Sequence, residues 1–309
     1  MAIGPIVFEP LAMERVWGGR KLEESFGKRL PRGVPIGESW ELTDRADAMS
    51  VDRDSGTTLH EMWCNMREQI FGARHLANPS QRFPILVKML DARDKLSVQV
   101  HPPASVATSL SGEPKTEVWY FADCDDGALI YAGLRRGITK NEFEAALRDG
   151  RVESLLHPVP VKKAESIFIP SGRVHAIGAG NVIIEIQQNS DTTYRVYDWN
   201  RPGLDGKPRA LHVEESLVCI DFSDYEPTIN HVEHGFIADC PHFRVERVPL
   251  DGSTVLTDDD DFAIVALAEG HCECGTKKFT AGDFFLLPAC EKNLQLVGQG
   301  VLLRITLPS

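Results

Sequence analysis

The chain has 309 residues, 42% of them hydrophobic and 25% charged, enough apolar material for one large core or two unequal ones. A formal charge of −12, with no Lys/Arg-rich run, argues against nucleic acid and anionic membrane as partners, although a locally basic pocket can still take a small anion. No apolar run approaches the about 20 residues needed to span a bilayer. Met1 to Pro5 lacks a secretory pattern, and seven cysteines, an odd number, suit a reducing compartment, so cytoplasm is the expected location.

In chain order, Ile6 to Leu11 reads as a short strand, Trp17-Gly-Gly19 as a tight turn, Arg20 to Phe26 as a short helix, and Gly37 to Thr43 as a strand. Glu38 and Glu41 on that strand read as ordinary paired carboxylates in preference to supports of a site. Thr57 to Arg74 carries a helical stripe of Leu59, Met62, Trp63, Met66 and Ile70. Phe83 to Leu90 is an apolar strand interrupted by Lys88, and a lysine in a buried strand needs an anion or a path to water.

The stretch that organises the chain is Ser97-Val-Gln-Val-His-Pro-Pro103. Its period of two puts Ser97, Gln99 and His101 on one face and Val98 and Val100 on the other. Lys115 and Glu117 repeat the geometry. A Pro-x-Gly turn, Pro170-Ser-Gly172, then delivers His175 to the start of another strand. A single strand histidine is more often structural than a ligand. Two histidines with one carboxylate and one amide, however, suit a divalent metal of intermediate softness.

Val118 to Phe121 and Ala128 to Ala132 read as strands, and Thr139 to Leu147 as a helix with a capping box of Thr139 and Glu142. Val152 to Leu156 extends that helix as a second apolar patch, and His157 falls in a proline-flanked loop. Ser166 to Pro170, Val182 to Gln187 and Tyr194 to Tyr197 are strands, Arg201 to Pro208 a loop, and Val213 to Phe222 a helix. His231 and His234 sit in a polar segment, Thr228 to Gly235, that reads as a solvated linker. The chain is therefore divided into residues 1–228 and a smaller β domain, 229–309.

Pro170-Ser-Gly172 with His175 fits the second cupin motif, with Ala164 where that motif has its first glycine. Gln99-Val-His101 followed by Glu117 is a variant of the first. These pieces, together with Val16-Trp-Gly-Gly-Arg-Lys-Leu22, Gly37-Glu-Ser-Trp-Glu41, Lys88-Met-Leu-Asp91 and the run Glu185 to Trp199, resemble the type I mannose-6-phosphate isomerases in its compact bacterial and archaeal branch. The similarity runs in order from about residue 8 to residue 201.

The resemblance implies a mainly β fold of two cupin-type jelly-roll barrels with helical insertions. It also implies a zinc-dependent aldose–ketose isomerase that interconverts mannose 6-phosphate and fructose 6-phosphate through an enediol-type intermediate. One zinc per chain would be held by Gln99, His101, Glu117 and His175. Arg195 and Lys115 would be catalytic, with Ser97 and Lys88 binding the sugar phosphate. A cation beside Lys115 and partial burial are expected to lower its pKa. The chain is expected to be a monomer or weak homodimer.

In the C-terminal part, Gly282 to Pro288 fits half of the second cupin motif again, but Cys290 and Asn293 replace its second glycine and its histidine. A barrel without a metal site is expected there. His271-Cys-Glu-Cys274 reads as a strand just after a turn at Gly270, since no second cysteine pair accompanies it. Two other functions remain open on these residues: another metal-dependent cupin enzyme, separated by metal identity, and a non-catalytic sugar-phosphate-binding cupin, which would not need Lys115 and Arg195 beside the ligands.

Overall fold

The structure is a computed structural model that describes residues 4–257 and 260–308. It is mainly β, in the cupin-like arrangement. The N-terminal part is built from two antiparallel sheets. The first orders its strands Leu11–Gly19, Ile36–Leu42, Ile85–Ala92, Asn181–Gln188, Glu117–Cys124 and Ser166–Ile169. The second orders Tyr194–Tyr197, Val98–Val100, His175–Ile177, Leu129–Leu134 and Leu156–Pro160.

The side-chain alternation of the strands divides these sheets into faces. Leu90, Trp119, Phe121 and Ile183 of the first sheet join Ile130, Ala132 and Ile177 of the second in one apolar cluster, so these residues lie between the sheets. Val98, Val100, Ala176 and Val196 point the other way. They are covered by the helices Lys140–Arg148 and Val213–Cys219 through Phe143 and Cys219. The outer face of the first sheet, with Val87, Met89, Val118, Tyr120, Ile184 and Ile186, packs on Leu59, Met62 and Trp63 and on C-terminal residues including Phe243, Ile264 and Leu303. Both faces of Ile85–Ala92 are therefore buried, which is why it reads as an almost continuous apolar run.

The C-terminal strands form one six-stranded sheet in which Ala263–Cys274 pairs with Lys277–Thr280, Phe284–Leu287 and Gln295–Thr306. Ile6 reaches across and bridges to Leu286.

Four local expectations are corrected. Trp17-Gly-Gly19 is the end of the strand Leu11–Gly19. Its glycines are required by close approach: a Cβ on Gly18 would lie 2.3 Å from Gly37 N, and one on Gly19 would lie 2.5 Å from an Asp91 carboxylate oxygen. The stripe over Thr57 to Arg74 breaks into helices Leu59–Asn65 and Arg67–Phe71 and a 3-10 turn Ala73–His75, because Met66 leaves helical geometry at φ −126° and Gly72 turns the chain at φ +98°. Thr58 caps the first of these in a box with Glu61. His157 lies in the edge strand Leu156–Pro160, where prolines are tolerated because an edge strand has unpaired backbone positions. Gly270 lies inside the strand Ala263–Cys274 at φ +83°, facing Gly300, where a Cβ would meet Gln299 O at 2.0 Å.

The Thr139–Glu142 capping box forms as expected, and Val152–Leu155 is a 3-10 turn. His231 and His234 are exposed, each beside a single carboxylate, Glu165 and Glu246 respectively.

Candidate metal centre and pocket

Every residue singled out for the site lies on, or just beyond, a strand whose alternation turns it toward the space between the two N-terminal sheets. His175 pairs with Gln99 on one side of the Val98–Val100 strand, and Arg195 pairs with Gln99 on the other, so three candidate side chains form a row across the second sheet. Glu117 opens its strand in the first sheet and faces that row.

The turn expected before His175 is docked on the other ligand strand. The Gly172 N–H donates to the His101 carbonyl at 2.9 Å, and Gly172 adopts φ +93°, which glycine takes without strain.

The outcome is a buried trio. The metal-ligating atoms of His101, Glu117 and His175 all lie within 4.8 Å of one another, and each residue is 0 to 1% exposed. His101 Nε2 is 3.5 Å from Glu117 Oε2, and His175 Nε2 is 3.6 Å from Glu117 Oε1. His101 Nδ1 donates to the Thr192 carbonyl at 2.9 Å, and His175 Nδ1 donates to the Arg173 carbonyl at 3.0 Å. Those bonds fix both tautomers with the Nε2 lone pair turned inward. Arg173 is in turn held by Asp224 through bonds of 2.7 and 2.8 Å.

Burial first, with Lys115 reinforcing it at His101 and the neighbouring His101 reinforcing it at His175, lowers the pKa of both imidazoles, that of His175 to about 3. Both are neutral near pH 7, the form that ligates. His101 Nε2 and Glu117 Oε1 are buried without a hydrogen-bond partner. Orphaned lone pairs that converge in this way are expensive unless a cation satisfies them, so the residues present fit a divalent metal. Among the described residues this is the one group of three or more His, Cys, Asp or Glu with such spacing.

Gln99 is adjacent. Its Nε2 lies 3.2 Å from His175 Nε2, and its Oε1 accepts from Ser97 Oγ at 3.3 Å. A flip of the amide brings the oxygen to the trio.

Gln99 and Lys115, which adjoin the trio, line a cavity of about 580 Å³ together with Ser97, Lys88, Arg195 and Glu185. Lys115 Nζ is 3.0 Å from Glu117 Oε2 and 3.9 Å from Glu185 Oε1. Burial pushes this ammonium toward neutrality, but the carboxylates of Glu117, Glu185 and Asp191 outweigh it and raise its pKa above that of an ordinary lysine. The expected lowering invoked a neighbouring cation as well as burial; among the protein's own groups, three carboxylates around the ammonium act the other way.

Two further carboxylates stand in the cavity wall. Glu185, 3% exposed, is raised to about 7, by burial first and then by Glu117, against the pull of Lys115 and Lys88. The signal for it was a carboxylate in the apolar strand Asn181–Gln188, the same anomaly that marked Lys88. Glu38 also lines the cavity. Its Oε2 accepts from Arg15 at 3.0 Å and from the Trp40 indole at 2.7 Å. Its companion Glu41 faces away and pairs with Lys28 at 2.7 Å.

At the opposite wall, Arg195 Nη1 donates to the Ala210 carbonyl at 2.9 Å, and its buried Nε has no partner. Arg209 lines the same cavity and grips Asp198, as Arg201 does. Arg195 and Arg209 thus stand in the lining of a cavity whose acidic and basic side chains are equal in number.

Three comparisons bear on the arrangement. Residues 7–147 match the family model for the catalytic domain of type I phosphomannose isomerase. The chain is 37% identical over 305 residues to mannose-6-phosphate isomerase ManA of Bacillus subtilis, covering 93% of this chain and 94% of that one. It is 33% identical over 308 residues to mannose-6-phosphate isomerase of Streptococcus mutans, covering 95% of each. Among solved structures, a mannose 6-phosphate isomerase from Bacillus subtilis superposes with a TM-score of 0.85 at 28% identity, over 98% of this chain and 100% of that one.

Proposed function

The chain belongs to the type I mannose-6-phosphate isomerases, and from that premise we propose which metal it holds and how its residues divide the reaction. It converts mannose 6-phosphate to fructose 6-phosphate, using zinc held by His101, Glu117 and His175 with Gln99 as the fourth ligand. The observation that carries this reading is the buried trio of inward-facing lone pairs, joined through Gln99 and Lys115 to a cavity that Glu185 and Arg195 also line. A neutral amide as fourth ligand leaves the centre more positive than a second carboxylate would. Bound zinc supplies Lewis acidity, stabilising negative charge on the sugar oxygens.

The protein's own groups move the protons. Glu185, with its pKa near neutrality, takes the proton from C2 of the aldose and returns it to C1, through an enediol-type intermediate. Lys115 enters the reaction protonated. It donates to the sugar oxygen on which negative charge gathers and regains the proton as the ketose forms. Arg195, which lines the cavity and whose Nε has no partner, stabilises the same developing charge. Ser97 and Lys88 bind the sugar phosphate from the cavity wall.

The test is a coupled assay for fructose 6-phosphate made from mannose 6-phosphate, using chelated protein with zinc or iron added back. Turnover restored by zinc is expected. Turnover restored by iron but not by zinc would overturn the choice of metal. Turnover undiminished by chelation, with metal content verified as absent, would overturn the role of the trio.

A further inference from the structure

The strand that carries Arg195, Tyr194–Tyr197, runs into a turn that the backbone does not take easily. Trp199 and Asn200 both adopt left-handed geometry, at φ +57° and +55°, which strains a residue as bulky as tryptophan. Side chains hold the turn. The Trp199 indole N–H donates to the Leu96 carbonyl at 2.6 Å, and the Lys95 ammonium lies 3.6 Å from the Trp199 ring centroid. Asp198, 6% exposed, is gripped by two guanidinium groups. Its Oδ1 accepts from Nε and Nη2 of Arg201, each at 3.1 Å. Arg209 closes on it as a fork, with Nε donating to Oδ2 and Nη2 to Oδ1, both at 2.6 Å.

That fork fixes the guanidinium plane of Arg209 and leaves one nitrogen over. Its Nη1 has no partner among the described residues, and Arg209 lines the cavity. Strand register gives its place there. Arg195 pairs with Gln99 and Tyr197 with Val98, so Asp198 falls at the Ser97 end of the ligand strand, away from His101. Ser97 stands two residues, or about 7 Å, along that strand from Gln99. A hexose phosphate with C1 and C2 beside Gln99 extends its far, anionic end toward Ser97 and Arg209.

We infer that Asp198 is a positioning residue: it holds Arg209 in the cavity wall so that the free edge of the guanidinium meets the anionic end of the substrate. The inference rests on the reading that this cavity takes a sugar phosphate. Acidic and basic side chains balance in its lining, so net charge gives an anion no reason to settle at one end, whereas a donor held in place does. An arginine without its carboxylate partner must give up rotamer freedom each time it binds, and the fork removes that cost beforehand.

A purely electrostatic role for Asp198 has the opposite sign. The carboxylate is negative, so if it acted through its charge alone, its loss would tighten anion binding. Positioning requires that its loss weaken binding.

The experiment measures kcat and KM for mannose 6-phosphate, and the Kd of inorganic phosphate by calorimetry, on the full-length, metal-loaded protein. The proteins compared are the parent, Asp198→Asn, Arg209→Met and the double variant. Asp198→Asn is expected to raise KM and the phosphate Kd about tenfold and to leave kcat within about twofold. The double variant is expected to match Arg209→Met, because the carboxylate acts through that one side chain. Arg209→Lys keeps the charge but cannot form the fork, so it should also weaken phosphate binding, and this arm stands even if Asp198→Asn does not fold. A phosphate Kd that is unchanged or lower in Asp198→Asn, additive losses in the double variant, or parent-like binding by Arg209→Lys would overturn the inference. A parent without turnover, but with phosphate binding that depends on Asp198, would reject the isomerase reading and leave this one standing.

Discussion

Lys88 and Glu185 stand directly opposite each other on neighbouring strands of the first sheet, with Nζ 3.6 Å from Oε1 and both side chains turned into the pocket. Lys88 also lies over the Trp40 ring, 4.7 Å from its centroid. The lysine that broke an apolar strand is thus answered by a carboxylate that broke the next one. Lys88 stabilises the ionised form of Glu185, so Lys88→Met raises the pKa of that carboxylate further. If Glu185 acts as the base, the acid limb of the kcat/KM profile moves to higher pH in this variant, and KM for the sugar phosphate rises. A pH–rate series on both proteins checks both effects.

Lys115→Met should separate catalysis from metal binding. The ammonium pairs with Glu117, so its removal leaves a more anionic candidate ligand set. Turnover is expected to fall about 10²-fold to 10⁴-fold, as for loss of a general acid. Bound zinc, measured by atomic emission on the same preparation, should stay near one per chain.

His175→Ala and His101→Ala are expected to lose both metal and turnover. Each leaves Glu117 buried with fewer partners. Chelation of the parent should therefore lower its thermal midpoint, while neither variant should respond to chelator. Calorimetry with and without chelator tests this.

Glu38 provides a pH signature of stability. Burial opposes its charge, but Lys88, Arg15 and the Trp40 indole outweigh that and hold its pKa at about 2, below the ordinary 4.5. A pKa depressed in the folded state stabilises the fold above about pH 4.5, and that stabilisation is lost as pH falls toward about 2. The full linkage is on the order of 3 kcal/mol. Glu38→Gln should therefore be markedly less stable than the parent at pH 7, with the gap closing through the acid range. Urea unfolding at several pH values measures it.

Ala164 sits at φ +69°, the left-handed region, where the cupin motif has glycine. Its Cβ is strained there, and glycine would relieve that strain at some cost in chain entropy. Ala164→Gly is expected to raise stability by about 0.5 to 1 kcal/mol with no change in turnover, measured by urea unfolding and the coupled assay.

The ligand strand, the Pro-x-Gly turn before His175 and the outward-facing Val98 and Val100 were all legible, because strand alternation is a local property that follows from backbone geometry. Lys88 was legible as an anomaly for the same reason. The Thr139 box was legible because both of its partners lie within one helical turn. The glycines at 18 and 19 were misread as a turn because the reason for them, the Gly37 backbone and the Asp91 carboxylate, comes from strands far along the chain.

What the sequence determined by itself was the set of candidate ligands and the face each would occupy, since these depend on neighbours two to five residues away. The tertiary structure alone decided that Glu185 meets Lys88 and Lys115, and that three carboxylates gather around the Lys115 ammonium. Charge and proton affinity depend on groups brought within a few ångströms by strand pairing and burial, and those distances are properties of the folded chain rather than of its order.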